Sequence, residues 1–235
     1  EIDASLFASI AKGYKQGGFN LGLGLESNSS NQNLLYDPEY LTNYELGVNS
    51  KILDSRINLS AVIFYSDRKD QQVFISSQVD PSDPNTFSFL TKNAAEGLNY
   101  GLEMNVNMDL NESLYIFANL GLLETEIKNW KSRPDLEGRS QAHAPKRSYA
   151  AGLNWKPAKN YFLRLDVTGK SSFYYSDSHD KQSQSYSLTN LSLGYQEHQW
   201  KAELWVRNAF DKYYSVRGFY FGNDPRDGYT AKGYT

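Results

Sequence analysis

Apolar and polar residues alternate along most of this chain, and the pattern is clearest from Trp200 onward. Trp200, Ala202, Leu204 and Val206, continued by Asn208 and Phe210, form one row; Lys201, Glu203, Trp205, Arg207, Ala209 and Asp211 form the other. A period of two puts successive side chains on opposite faces of a β-strand, so this strand meets two different media. The pattern predicts a strand longer than the usual ~5–6 residues and close to the ~9–11 that a tilted strand needs to cross a bilayer. Trp200 at one end, with Phe210, Tyr213 and Tyr214 at the other, stand where rings with one polar edge settle at a membrane–water boundary.

The same reading recurs upstream. A first strand is expected over about residues 5–15, then a Gly- and Asn-rich loop to Asp37-Pro38. Tyr40, Thr42, Tyr44, Leu46, Val48 and Ile52 then oppose Leu41, Asn43, Glu45, Asn49 and Lys51, up to a tight turn at Leu53–Arg56. Ile57, Leu59, Ala61, Ile63 and Tyr65 continue the apolar row, with Val62 and Phe64 as exceptions on the polar face, and the strand is expected to run to Ile75. After a loop at Asp80–Asn85 come the rows of Tyr100 to Met108, Leu114 to Leu122, Tyr149 to Trp155 and Tyr161 to Val167. Leu191, Leu193 and Tyr195 follow on one face while Tyr186 and Leu188 fall on the other, which predicts a bulge near Thr189. About nine strands result.

Two regularities choose the class. Turns are short near 54, 111, 158 and 198 but long near 25, 82, 138, 180 and 225, the asymmetry of outer-membrane barrels. The polar face is also too charged for a dry core: Glu45, Lys51, Glu103, Arg164, Asp166, Lys170, Lys201, Glu203 and Arg207 all fall on it. Burying so many ions costs several kcal/mol each, whereas a wet or polar-plugged lumen removes that cost. The fold class expected is all-β: an antiparallel up-and-down transmembrane barrel, present in part. A sheet with open edges cannot sit in lipid, so further strands are expected from sequence beyond residues 1–235.

Composition fits. Mean hydropathy is -0.62 and no apolar run reaches the ~18 residues of a spanning helix, yet only alternate barrel residues face lipid. The absence of Cys excludes a disulfide framework and thiolate metal sites. A net charge of -3 argues against nucleic acid as a partner. Glu1 opens without a leader, so the chain is expected to begin inside a longer protein.

The segments SLFASIAKGYKQGGFN (5–20), 37–72, NAAEGLNYGLEMNVNMDL (93–110), HAPKRSYAAGLNW (143–155) and ELWVRNAFDKYYSVRGFYFGND (203–224) together resemble the C-terminal part of the barrel of TonB-dependent outer-membrane receptors. The resemblance implies a barrel of about 22 strands around a plug domain, with the plug and the last strand outside this sequence. It also implies a location in the bacterial outer membrane. It implies uptake of a bulky ligand, most often a ferric siderophore, powered through the plug by the TonB complex. Its partners would be outer-membrane lipid, TonB and a small-molecule metal chelate; no cofactor is implied, the iron chelate being cargo.

Candidate ligand-binding residues lie in the last loop, where Arg217, Phe219, Tyr220, Phe221, Asn223 and Arg226 (with Asp224) combine rings and guanidinium groups suited to an anionic or aromatic chelate. Glu45, Arg164, Asp166, Glu203 and Arg207 are the expected lumen-facing, plug-holding residues. Asn208–Tyr214 is expected to end a strand, with Asp bonding the backbone. Asp177, His179 and Asp180 share one loop and are expected to be solvated rather than metal-binding, and His143 beside Pro145 is expected to be a plain loop residue. No H-E-x-x-H, G-x-S-x-G or thiol occurs, so no enzymatic chemistry is expected. A passive porin-type channel, a receptor for a glycan or cobalamin, and a soluble carbohydrate-binding sandwich remain alternatives.

Overall fold

A computed structural model describes residues 2–20, 34–78, 87–130, 133–177 and 180–218. Nine strands form one antiparallel sheet in chain order: β1 (Ile2–Lys15), β4 (Glu39–Ile52), β5 (Ile57–Gln78), β6 (Phe87–Asn111), β7 (Leu114–Asn129), β8 (Arg147–Trp155), β9 (Tyr161–Lys170), β10 (Tyr186–Glu197) and β11 (Trp200–Val206). The two-residue strands β2 (Gly18–Phe19) and β3 (Leu35–Tyr36) pair separately. Each strand pairs with its neighbour in sequence, the up-and-down meander expected from alternating short and long turns.

The register brings the apolar positions into continuous lines. One line crosses the whole sheet: Ile2, Ile52, Ile57, Met108, Ile116, Leu153, Leu165, Leu191 and Val206 are paired strand to strand. The adjacent line on the other face reads Asp3, Lys51, Asn58, Asn107, Phe117, Gly152, Asp166 and Asn190. A slip of one residue at any pair would exchange the two faces, so the two media fix the register.

The apolar face is bare. Leu6, Ile10 and Leu204 are 80%, 76% and 79% exposed, and the only other ladder among the described residues is the β2–β3 pair. Leaving such side chains in water would forgo about 1.5–3 kcal/mol each; hydrocarbon against that face recovers it. The carbohydrate-binding sandwich is thereby overturned, because among the described residues no second layer covers the rows of Leu163 and Leu204. Among the described residues no helix is long and apolar enough to span a membrane.

Two local expectations are corrected. Tyr186 to Tyr195 pair with Lys170 to Tyr161 without a register shift, so there is no bulge near Thr189. Tyr186 and Leu188 sit on the polar face, where Tyr186 packs against the Tyr214 ring at 4.8 Å. Register shifts lie instead between β5 and β6, beside Arg68 and Gln71, where Asp70 takes a positive φ of 54°, and between β6 and β7, beside Glu96 and Asp109. The second correction is that β11 ends at Val206, after 7 residues, because Asn208 turns the chain with φ 50°.

β5 and β6 are long, 22 and 25 residues. At about 3.3 Å per residue they measure about 70–80 Å, against a hydrocarbon layer of about 30 Å. Even when tilted they outrun the bilayer at the end away from the short turns. There Val73, Ala95, Ile127, Trp130 and Leu136 form the buried core of the described residues.

Candidate functional site

The polar face is the candidate functional surface, and three kinds of side chain build it. The first is aromatic. Phe7, Phe64, Phe117 and Phe162 stand directly opposite Gly47, Gly101, Gly152 and Gly194 on neighbouring strands. A Cβ on any of these glycines would meet the facing ring, and on Gly152 also the Leu165 carbonyl oxygen at 2.6 Å. Glycine lets each ring lie down over the neighbouring strand instead of projecting, the cross-strand arrangement that compensates a glycine's lost packing. Val62 and Phe64, apolar exceptions in the sequence, sit on this face.

The second kind is neutral and hydrogen-bonding. Asn49, Ser60, Asn105 and Asn119 form one register row across β4 to β7. The Tyr115 hydroxyl donates to Asn107 Oδ1 at 2.7 Å.

The third kind is charged, and all five expected plug-facing residues lie on this face. Glu45 accepts from Ser9 Oγ at 3.1 Å and Asn43 Nδ2 at 2.7 Å. Arg164 donates from Nε to Asn154 Oδ1 at 2.8 Å, and Asp166 accepts from Asn190 Nδ2 at 2.7 Å. Glu203 pairs with Lys201 at 2.6 Å, and the Arg207 guanidinium lies 5.1 Å from the Trp205 ring centre. Arg164, Asp166 and Arg207 have no ion-pair partner among the described residues.

At the far end, beyond the bilayer, a connected polar network was not legible in the sequence. The Arg68 guanidinium pairs with Glu39, whose carboxylate is buried, and its Nη1 donates to Gln141 Oε1 at 3.0 Å. Gln141 in turn donates to Asn99 Oδ1 at 2.8 Å, while its backbone N–H bonds Thr125 Oγ1 at 2.9 Å. The loop after β7 is thus fastened to polar-face residues of β5, β6 and β7. Asn20 pairs with Thr91 as a strand would, donating at 2.9 Å and accepting at 2.7 Å. These partners are 16 to 73 residues apart, and no local pattern signals such pairing.

The neighbouring loops are held by rings. Arg139 lies 3.9 Å from the Tyr174 ring centre and pairs with Asp180 at 3.4 Å. His143 packs 5.7 Å from Phe173, and Asp177 accepts from the Ala142 backbone at 2.9 Å. Asp177 and Asp180 thus serve the loop, and among the described residues no cluster could hold a metal ion; His179 lies outside them. Outside the membrane-spanning segments, Arg133 donates to Asp135 and holds its carboxyl below the usual carboxylate range.

Of the candidate ligand-binding residues, Arg217 is described and exposed, its carbonyl accepting from Ser215 Oγ at 2.9 Å. Phe219, Tyr220, Phe221, Asn223 and Arg226, with Asp224, lie outside the described residues. The strand-end reading of Asn208–Tyr214 holds with a different residue doing the bonding: Asn208 donates to Lys212 O at 3.0 Å and accepts from Lys212 N at 2.9 Å.

Comparison with known proteins places this geometry. The family profile described as "TonB dependent receptor-like, beta-barrel" matches residues 3–209. A probable TonB-dependent siderophore receptor of Acinetobacter baumannii, PiuA, is 30% identical over 132 residues, covering 55% of this chain and 16% of that protein. The ferric yersiniabactin uptake receptor FyuA of Yersinia pestis superposes with a TM-score of 0.74 at 19% identity, over 92% of this chain and 31% of its own. The crystal structure of PiuA gives 0.72 at 22%, over 91% and 30%, and the copper transporter OprC gives 0.66 at 14%, over 91% and 32%. The chain therefore spans less than a third of the length of these proteins.

Proposed function

Because the chain belongs to the TonB-dependent receptor β-barrel family, a family of receptors and transporters in the bacterial outer membrane, we propose that it forms part of the wall of an importer for a bulky, scarce ligand. The proposed cargo is a ferric siderophore, and the proposed drive is TonB acting through a plug domain encoded outside these 235 residues. The observation that carries the reading is the match over residues 3–209 together with the siderophore receptors among the relatives.

The geometry supports a division of labour. The apolar face meets lipid, and the polar face lines the lumen. Glu45, Arg164, Asp166, Glu203 and Arg207 face that lumen and hold the plug through charge-assisted hydrogen bonds, worth about 1.5–3 kcal/mol each. The sequence alone offers Arg217, Phe219, Tyr220, Phe221, Asn223 and Arg226 as the groups proposed to capture the chelate by ring and guanidinium contact.

The test is deletion of the whole gene, with growth and radiolabelled uptake measured under iron limitation for ferric hydroxamates, ferric catecholates and mixed-ligand ferric chelates, and for copper in parallel. Loss of uptake of one ferric chelate class, restored by the full-length gene and not by a plug-deleted version, is the expected result. Unchanged uptake of every ferric chelate removes iron as the cargo; loss confined to copper reassigns it.

A further inference from the structure

The charges of the polar face are not evenly spread. Along β6 from Asp109 to Asn99, and at the paired positions of β5, β7 and β8, two charged side chains occur on this face, Glu103 and Asp109. Over the same rows β9 alone carries three, Arg164, Asp166 and Lys170; on the same face β11 adds Lys201 and Glu203, with Arg207 just beyond its end.

We infer that the two walls do different work: the plug is clamped against β9–β11, and the solvated route for cargo runs along β5–β8. This rests on the plugged-barrel reading given above. Two physical differences separate the walls. Arg164, Asp166 and Arg207 make no salt bridge among the described residues, so a polypeptide carrying complementary charges can pair with them. A bidentate or charge-assisted contact in a narrow, poorly hydrated gap is slow to release. Passage demands the opposite, many weak contacts that form and break in turn. Neutral amides and hydroxyls supply about 0.5–1.5 kcal/mol each and exchange readily with water. Asn105 and Asn119 on the β5–β8 wall are such groups.

Thiol accessibility in the full-length protein tests the assignment. This chain contains no Cys, so each introduced thiol is the only one it contributes. Asn105→Cys and Asn119→Cys report the β5–β8 wall; Thr168→Cys and Leu188→Cys report the charged side, and all four share one register row. The probe is a small uncharged maleimide, which the wall charges neither attract nor repel, and denatured samples supply the intrinsic rates. The same-face neighbours of Thr168 along its strand are Asp166 and Lys170, whose opposite charges act against each other on thiolate content; labelling normalised to the intrinsic rate therefore reports shielding. The expected result is labelling about tenfold faster at Asn105→Cys and Asn119→Cys than at the other two, the difference disappearing when the plug is deleted. Equal protection of all four, lifted on plug deletion, overturns the wall assignment and leaves the plugged barrel standing. Fast labelling at all four, unchanged by plug deletion, removes the plug contact itself and with it both readings.

Discussion

At the scale of single residues, the glycines opposite phenylalanines give the sharpest tests. The three atoms nearest the Cβ of Gly47→Ala all belong to the Phe7 ring, which can swing aside, whereas that of Gly101→Ala also meets the Leu122 backbone. Gly101→Ala is expected to lose about 1–3 kcal/mol of stability through overpacking, with no relief from Phe64→Ala. Gly47→Ala loses less, and that loss vanishes in the Phe7→Ala background. Urea unfolding of the full-length protein in a double-mutant cycle separates the two. Asp135 offers a titration. Its depressed carboxyl contributes stability that is present above its unfolded value of about 3.9 and is lost as pH falls through the folded value. Arg133→Ala is expected to move the Asp135 midpoint upward in an NMR titration, and an unmoved midpoint refutes that cause. The faces of Glu45, Arg164 and Glu203 were legible in the sequence, because parity alone decides them. The partners of Glu39 and Gln141 were not, because loop closure sets those contacts. Asn208, rather than the expected Asp, closes the strand-end turn because its amide both donates and accepts across it, while Asp offers acceptors only.

At the scale of elements, the strand count, the chain-order topology and the short turns all follow from alternation and turn chemistry. Strand length did not, for opposite reasons at the two extremes. β11 stops early where Asn208 adopts the left-handed region, while β5 and β6 run on because the loop after β7 supplies bonding and apolar cover above the bilayer. The bulge was misplaced because Tyr186 and Leu188 interrupt the alternation by occupying the polar face, not by shifting register. The Glu39–Arg68 pair joins β4 to β5 and also positions Gln141. Glu39→Gln is expected to cost about 2–3 kcal/mol, since it weakens bonds to a charged group. It should also speed protease cleavage within 133–146 relative to wild type; unchanged cleavage breaks the proposed link between pair and loop.

At the scale of the whole molecule, one sheet separates two media. An arginine on the lipid side near the bilayer midplane costs about 2–4 kcal/mol, and on the lumen side little. Leu165→Arg is therefore expected to impair folding into lipid bilayers from urea by up to that amount, while Thr168→Arg, three residues on and on the opposite face, leaves it within about 0.5 kcal/mol. Equal effects would mean that the apolar side does not touch hydrocarbon. The overall architecture was legible because that partition is written into every second residue; the network beyond the bilayer is not periodic and had to be seen.

The height of β5 and β6 has a thermal consequence. Above the lipid surface the barrel carries a small turret with its own water-excluded centre around Trp130 and Ile127, held by hydrogen bonds that ordinary denaturants reach, while the strands below are shielded by acyl chains. Unfolding should then proceed in two steps, the turret melting at lower urea or temperature than the embedded wall. Loss of the buried-tryptophan signal from Trp130, ahead of the collapse of β-sheet circular dichroism, would record it.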